Sequence, residues 1–281
     1  MKAGILGAGT MGNGIAHVFA LHQYKVVLVD INDKILNIAL NNIRTNLSRQ
    51  IKKKIIGQKT LDNALNNIEI STNIDSFKSC DLVIEAIKED LELKKSVFKK
   101  LDFICNKETI LASNTSSISI NDLANSTKTP ERVIGMHFMN PVPIMKLVEI
   151  INGKQTSKNT TTAIIELSND LDKIPVCCND SPGFVSNRIL MPMINEAAHC
   201  FNQGVANAES IDSIMKLGMG HPMGPLKLAD LIGIDICVMI LQVLYDGFND
   251  EKYKPSNILI DLVNNNKLGK KTGEGFYKYE L

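Results

Sequence analysis

Excess charge, paired-cysteine motifs and long apolar runs are all missing from this chain, and each absence closes off a class of protein. Its 31 Lys and Arg residues nearly balance 30 Asp and Glu, leaving a net charge of +1. No global field points to nucleic acid or a membrane surface, so any anion site must be local. Six cysteines (Cys80, Cys105, Cys177, Cys178, Cys200 and Cys237) form no CxxC pair and fall short of the density of a disulfide scaffold, which favours a reducing compartment. No apolar run reaches the length of a membrane span. The first residues enter a strand pattern at once, with no basic and apolar leader before it. A soluble, cytoplasmic protein is the expectation, with no nucleic-acid or membrane partner. At 281 residues and 44% hydrophobic composition, the chain is long enough for two domains and a sizeable core.

The first motif follows the first strand. Lys2 to Leu6 is apolar, Gly7-Ala8-Gly9-Thr10-Met11-Gly12 comes next, and Asn13 to Leu21 reads as a helix. In such a loop the first glycine permits a tight turn, the second lets backbone approach a pyrophosphate, and the third lets helix pack on strand. The helix N-terminus adds unpaired N–H groups and positive dipole. GxGxxG alone is a weak signal. Here a second strand, Lys25 to Val29, follows the helix and ends in Asp30, 18 residues beyond Gly12. An acid there suits the adenosine ribose hydroxyls, and the assembled βαβ unit is a strong dinucleotide signal. Asp30 repels a 2′-phosphate and Ile31-Asn32-Asp33 offers no Arg to hold one, so NAD is preferred over NADP.

A long helix is expected next, because Leu36, Leu40, Ile43, Leu47, Ile51 and Ile55 recur at intervals of three and four, with Gly57 as its stop. Arg49, Lys52, Lys53 and Lys54 lie beside that stripe. They are either a solvated face or a clamp for a polyanionic substrate handle. A helix from Leu61 and a strand at Ile68 to Ser71 follow. Asp81 to Ile87 is a buried parallel strand carrying Glu85, and Glu89 to Ile104 is a helix. Thr109 to Ala112 is another buried strand, running into Ser113-Asn114-Thr115-Ser116-Ser117, a ligand-facing loop in doubly wound folds, although Ser117 or Ser119 can equally cap the next helix.

Residues Val133 to Ile150 are the centre of the reading. Val133, Ile134, Met136 and Phe138 make a buried strand that His137 interrupts. Pro141 and Pro143 stop any ladder, and a second apolar segment ends in Glu149. A turned-back pair of segments would set that carboxylate beside the imidazole, the usual way to orient and charge a catalytic histidine. Taken alone, the stretch favours a packed core histidine and a surface glutamate, and the rest of the chain reverses that preference.

Taken in order, GAGTMG, Asp30, LVIEA, LASNTSSISI, IGMHFMNPVPIMKLVEI, SPGFVSNRI, HPMGPL and GKKTGEGFYKY resemble the L-3-hydroxyacyl-CoA dehydrogenase family, nearest to its short-chain bacterial members, from the first strand to the last residues. The resemblance implies hydride transfer between NAD(H) and C3 of a short-chain 3-hydroxyacyl-CoA or 3-oxoacyl-CoA, in fatty-acid or butyrate metabolism. It implies that His137 is the catalytic histidine, that Glu149 is its partner, and that Ser116 and Asn187 hold the substrate's 3-oxygen and thioester region. Residues Gly7 to Gly12, Asp30, Glu89, Lys94, Asn114 and Lys271 match cofactor contacts. The basic segment from Arg49 to Lys54 stands where the family grips the CoA phosphates, without the individual side chain carrying over. Independently, oxidising a secondary alcohol needs a base and the reverse needs an acid; imidazole, which ordinarily titrates near neutrality, serves both.

The expected fold is α/β: a Rossmann-like, doubly wound, mostly parallel sheet over residues 1–182, then an all-α domain over 183–281. The second domain is read as four helices, Phe184 to Phe201 with Pro192 as a kink, Ala208 to Leu217, Leu226 to Phe248, and Ser256 to Asn264. Ile232 to Leu244 is apolar nearly all round and must be buried in the domain or against another subunit, and the resemblance implies a homodimer. Glu196 and His199 stand three apart, but without a second ExxH they are read as structural, with no metal. His221 is read as structural. Lysine- or cysteine-based NAD dehydrogenases with a helical second domain disagree with the SNTSS and MHFMNP motifs. A non-enzymatic protein on this fold disagrees with the intact Ser116, His137, Glu149 and Asn187.

Overall fold

The computed structural model describes residues 1–280. The chain divides into two compact units after Asp180. In the first, β1 (Lys2–Leu6), α1 (Thr10–Leu21), β2 (Lys25–Val29), α2 (Asp33–Lys52), α3 (Gln58–Asn66) and β3 (Ile68–Ser71) form one half. The other half comprises β4 (Leu82–Glu85), α4 (Leu91–Ile104), β5 (Ile110–Ser113), α5 (Ile120–Ala124), β6 (Val133–Phe138), β7 (Leu147–Asn152), α6 (Lys158–Asp170) and β8 (Ile174–Asn179). The eight strands lie in the order β3-β2-β1-β4-β5-β6-β7-β8. Every neighbouring pair is parallel except β6 with β7. Apolar side chains such as Ile5, Leu28, Ile84, Leu111 and Ile134 are fully buried, as expected for strands covered on both faces. The order reverses between β1 and β4, and a doubly wound sheet opens its ligand crevice at the carboxyl ends of such a pair.

Two boundaries differ from the sequence reading, each for a local reason. Helix α1 begins at Thr10, inside the glycine motif rather than at Asn13, because extended Gly9 serves as its N-cap and its carbonyl accepts the Asn13 N–H at 2.9 Å. Helix α2, capped by the Asn32 side chain on Ile35 N, ends at Lys52 instead of running through Ile55. Lys54 is left-handed at φ 58°. Ile55 N donates to Gln50 O and Lys54 N to Ile51 O, the paired bonds of a Schellman stop. Ile55 is therefore off the buried stripe and 66% exposed.

Helix α1 itself carries a histidine into the core. His17 is 1% exposed, and Gln50 Nε2 donates to its Nε2 at 3.1 Å. Its Nδ1 has no hydrogen-bond partner among the described residues. Burial, reinforced by the positive charge of Lys173 and His22, pushes its pKa down to about 4.

The second unit is helical: α7 (Ser186–Asn202), α8 (Ala208–Met219), α9 (Pro225–Ile232), α10 (Ile234–Phe248) and α11 (Asn257–Asn264). Phe184, at φ 53°, keeps α7 from starting where the apolar pattern starts. The single helix expected over Leu226 to Phe248 is two, bent by 99° at Gly233. That glycine adopts φ 107°, which side-chain-bearing residues rarely tolerate, so the apolar periodicity continues across a break in the backbone. Leu226, Ile234, Cys237, Leu241 and Leu244 are fully buried in this unit's own core. The terminal segment is strapped down by two carboxylates. Asp230 accepts the N–H groups of Phe276 and Tyr277 and the Tyr279 hydroxyl, while Asp212 accepts the Tyr277 hydroxyl at 2.7 Å.

Candidate active site

The carboxyl ends of β1, β4, β5 and β6 carry the polar groups of the first unit. At β1, a Cβ on Gly7 would fall 2.5 Å from Ala86 O and one on Gly12 would fall 1.8 Å from Gly7 O. Both positions are filled by backbone. At Gly9 nothing lies within 4 Å, so this glycine faces open space beside a cleft of about 490 Å³ bordered by Ala8, Thr10, Asn13, Ile38 and Arg49. No side chain caps the N-terminus of α1, which leaves its N–H groups for an anion. Asp30 accepts Ala8 N at 2.6 Å and Ile31 N at 2.7 Å, so the acid also pins the glycine loop. An uncapped helix start, an open cradle at Gly9 and a carboxylate at the end of β2 fit a dinucleotide.

The loop after β5 is held from behind. Lys94, only 1% exposed, bonds Glu85 at 2.5 Å and Glu89 at 3.2 Å. The structure thus places Lys94 inside the fold, behind the loop that follows β5. Glu85, fully buried, also accepts the Ser113 hydroxyl (2.7 Å) and Ile87 N (2.7 Å). Glu89 Oε1 gathers Thr115 Oγ1 (2.5 Å), Ser116 N (3.0 Å), Ser117 N (3.1 Å) and Ser117 Oγ (3.0 Å). Burial opposes the Glu89 charge, but Lys94 and the hydroxyls of Thr115 and Ser117 outweigh it and hold the carboxyl below its ordinary range. Asn114 Oδ1 accepts Phe138 N at 2.9 Å, tying the loop to the strand of the histidine. Ser119, not Ser117, caps α5.

His137 and Glu149 sit opposite one another in the antiparallel register of β6 and β7. Directly opposed residues project to the same face, and His137 Nδ1 meets Glu149 Oε2 at 2.8 Å, with the two residues 8% and 4% exposed. A buried carboxylate on Nδ1 fixes the tautomer and orientation of the ring.

The basic segment separates by geometry. Arg49 borders the dinucleotide-side cleft and a second cavity of about 550 Å³, which Lys53, Lys146 and Lys173 also line. Lys52 and Lys54 are exposed and line neither. In the second unit, Asn187 lies on the first turn of α7 and is buried, and Lys271 is ion-paired with Asp235 at 2.5 Å. Glu196 and His199 border a cavity with Arg188 and Lys252, and no group of three metal-capable residues occurs among the described residues. The sequence reading passed over Glu85 as a strand-ending acid. Its one available signal was an acid at a parallel strand's carboxyl end with a lysine nine residues on, in the following helix.

A dinucleotide cradle and a carboxylate-held histidine on one sheet edge define an NAD-dependent dehydrogenase. Residues 2–181 match the NAD binding domain of 3-hydroxyacyl-CoA dehydrogenase, and residues 183–279 match the C-terminal domain of the same enzyme. The chain belongs to the 3-hydroxyacyl-CoA dehydrogenase family. It is 50% identical over 279 residues to a probable 3-hydroxybutyryl-CoA dehydrogenase of Deinococcus radiodurans, covering 99% of this chain and 100% of the relative. It is 44% identical to the mitochondrial hydroxyacyl-coenzyme A dehydrogenase of Homo sapiens, covering 98% and 90%. Among solved structures, (S)-3-hydroxybutyryl-CoA dehydrogenase from Ralstonia eutropha superposes with a TM-score of 0.97 at 48% identity, covering 100% of this chain and 99% of that one.

Proposed function

We propose that the chain interconverts 3-hydroxybutyryl-CoA and acetoacetyl-CoA, or near homologues, with NAD(H), and that His137 is its acid–base residue. The observation that carries this is the buried 2.8 Å pair of His137 with Glu149 at the end of the sheet that holds the glycine loop. Bound NAD would supply the hydride acceptor. His137 Nε2 would take the 3-hydroxyl proton, and Glu149 would hold the ring and stabilise the imidazolium as it forms. In the reverse direction the same imidazolium protonates the 3-oxygen. Ser116 binds that oxygen through its hydroxyl, and Asn187 and Lys271 keep the substrate and cofactor roles of their motifs. Gly7 to Gly12 would receive the pyrophosphate and Asp30 the ribose.

Arg49 and Lys53 are the basic side chains we assign to the CoA phosphates, because they alone of the Arg49, Lys52, Lys53 and Lys54 set line a cavity. A homodimer through the helical unit is supported by its exposed apolar side chains, among them Leu217 (87%), Ile189 (67%) and Met219 (63%). Six free thiols accord with a cytoplasmic setting. The deciding experiment follows NADH absorbance after adding acetoacetyl-CoA: turnover is expected, and none at millimolar substrate would refute the activity. Light scattering should give twice 31.0 kDa; a monomer at micromolar concentration would remove the dimer.

A further inference from the structure

The acid–base and cofactor readings leave unexplained why a lysine is buried between two glutamates at the carboxyl ends of β4 and β5. Lys94 makes its ion pairs at 1% exposure, and Glu85 is fully buried. Burying such a group is costly unless every charge is met, and here each is. The ammonium touches both carboxylates and lies 3.5 Å from the Ile87 carbonyl. Glu85 spends its second oxygen on Ser113, at the end of β5. Glu89 receives one ammonium on Oε2, while its Oε1 receives the N–H and O–H donors of residues 115–117. Lys94 is thus the middle of a chain from β4 to the loop that presents Ser116.

We infer that Glu85 and Lys94 are positioning residues: the buried pair fixes the Glu89 carboxylate, which in turn gathers residues 115–117 and sets where Ser116 offers its hydroxyl. The inference rests on the reading of Ser116 as a substrate-binding residue. Its physical content is that the loop is ordered by charge. Donors converging on one ionised oxygen are stronger than the same bonds to a neutral carboxyl, and the charge persists because an ammonium sits on the opposite oxygen. The charged groups packed against Glu89 are Lys94 from α4 and, behind it, Glu85 from β4. The loop contributes neutral donors. A cavity or a lost van der Waals contact would not depend on pH; an order maintained by Glu89 ionisation does.

The test separates the loop from the chemistry. Lys94→Met alone leaves the buried Glu85 carboxylate without its cation, so the informative variant is the neutralised pair Glu85→Gln/Lys94→Met. Two readouts are taken on the full-length enzyme: hydrogen exchange of the Ser116 and Ser117 amides, and turnover of acetoacetyl-CoA with NADH, both across pH. In the variant those amides are expected to exchange on the order of ten- to a hundredfold faster than in wild type, the range for a charge-assisted bond. The acceleration grows as pH falls and Glu89 protonates. Turnover falls in parallel with a new acid limb. Unchanged, pH-independent exchange at residues 116 and 117 overturns the positioning role. Faster exchange with unchanged turnover supports the loop mechanism and overturns the role given to Ser116 in the proposed function. Should the variant fail to fold, wild type alone decides. Its two amides must stay protected through the ordinary carboxylate range, and loss of protection there overturns the inference.

Discussion

His17 makes acid stability a measurable property of a single buried side chain. In the unfolded chain the imidazole has its ordinary value of 6.5, and in the fold burial pushes it down to about 4. Between those values the unfolded state binds a proton that the native state refuses, so stability rises with pH and is lost as pH falls from 6.5 toward 4. The gap of 2.5 units, at about 1.4 kcal/mol per unit, amounts to roughly 3 kcal/mol once both values are passed. About 2.5 kcal/mol of that is gone by pH 4.5, a large part of an ordinary domain's stability. Urea unfolding at a series of pH values, for wild type and His17→Gln, isolates the effect, since carboxylates titrate in both and cancel in the difference. By pH 4.5 the wild type should have lost roughly 2.5 kcal/mol more than the variant. Parallel curves would refute the reasoning, because a histidine that costs nothing to protonate cannot be buried as described.

His137→Gln is expected to lower turnover on the order of 10²–10⁴-fold while NADH binding, followed by fluorescence, is largely kept; a folded variant with most of its activity would end the assignment. Glu149→Gln keeps a hydrogen-bond acceptor but drops the carboxylate that holds the ring, so turnover should fall, and the double variant should lose little beyond His137→Gln. Wild type should use NADH with higher kcat/KM than NADPH, and Asp30→Ala should narrow the ratio while weakening NADH binding, since Ala8 N loses its acceptor; a wild-type preference for NADPH would contradict the ribose reading. Reversing charge at Arg49 and Lys53 should raise KM for acetoacetyl-CoA and spare a truncated thioester without phosphates, whereas equal losses would assign both residues to the fold.

Patterns that repeat along the chain were legible; arrangements that depend on a backbone reversal or on two elements meeting were not. Alternating strands and helices, the glycine loop and Asp30 are local, and the sheet followed from them. The split between α9 and α10 was hidden because Leu226 to Phe248 keeps its apolar periodicity across Gly233, and only the φ of that glycine breaks it. The end of α2 was overrun for the same reason, since Lys54 carries no sign of its left-handed turn. At the site, His137 and Glu149 could be paired from sequence because two prolines force the chain back between them. Lys94 could be named, but its burial could not. Nothing in a helix of alternating Lys, Glu and Leu says which lysine turns inward onto Glu85.

The antiparallel pairing of β6 with β7 also bears on how the protein fails. A dyad carried on mobile loops can be lost in a local opening while the scaffold survives. Here the imidazole and the carboxylate are neighbours across backbone ladders in the interior of an eight-stranded sheet, flanked by β5 on one side and β8 on the other. Separating them means unzipping strands that are hydrogen-bonded on both sides, an event far costlier than a local loop opening. Heat disruption of the His137–Glu149 pair should therefore be a cooperative event, coincident with the melting of the sheet.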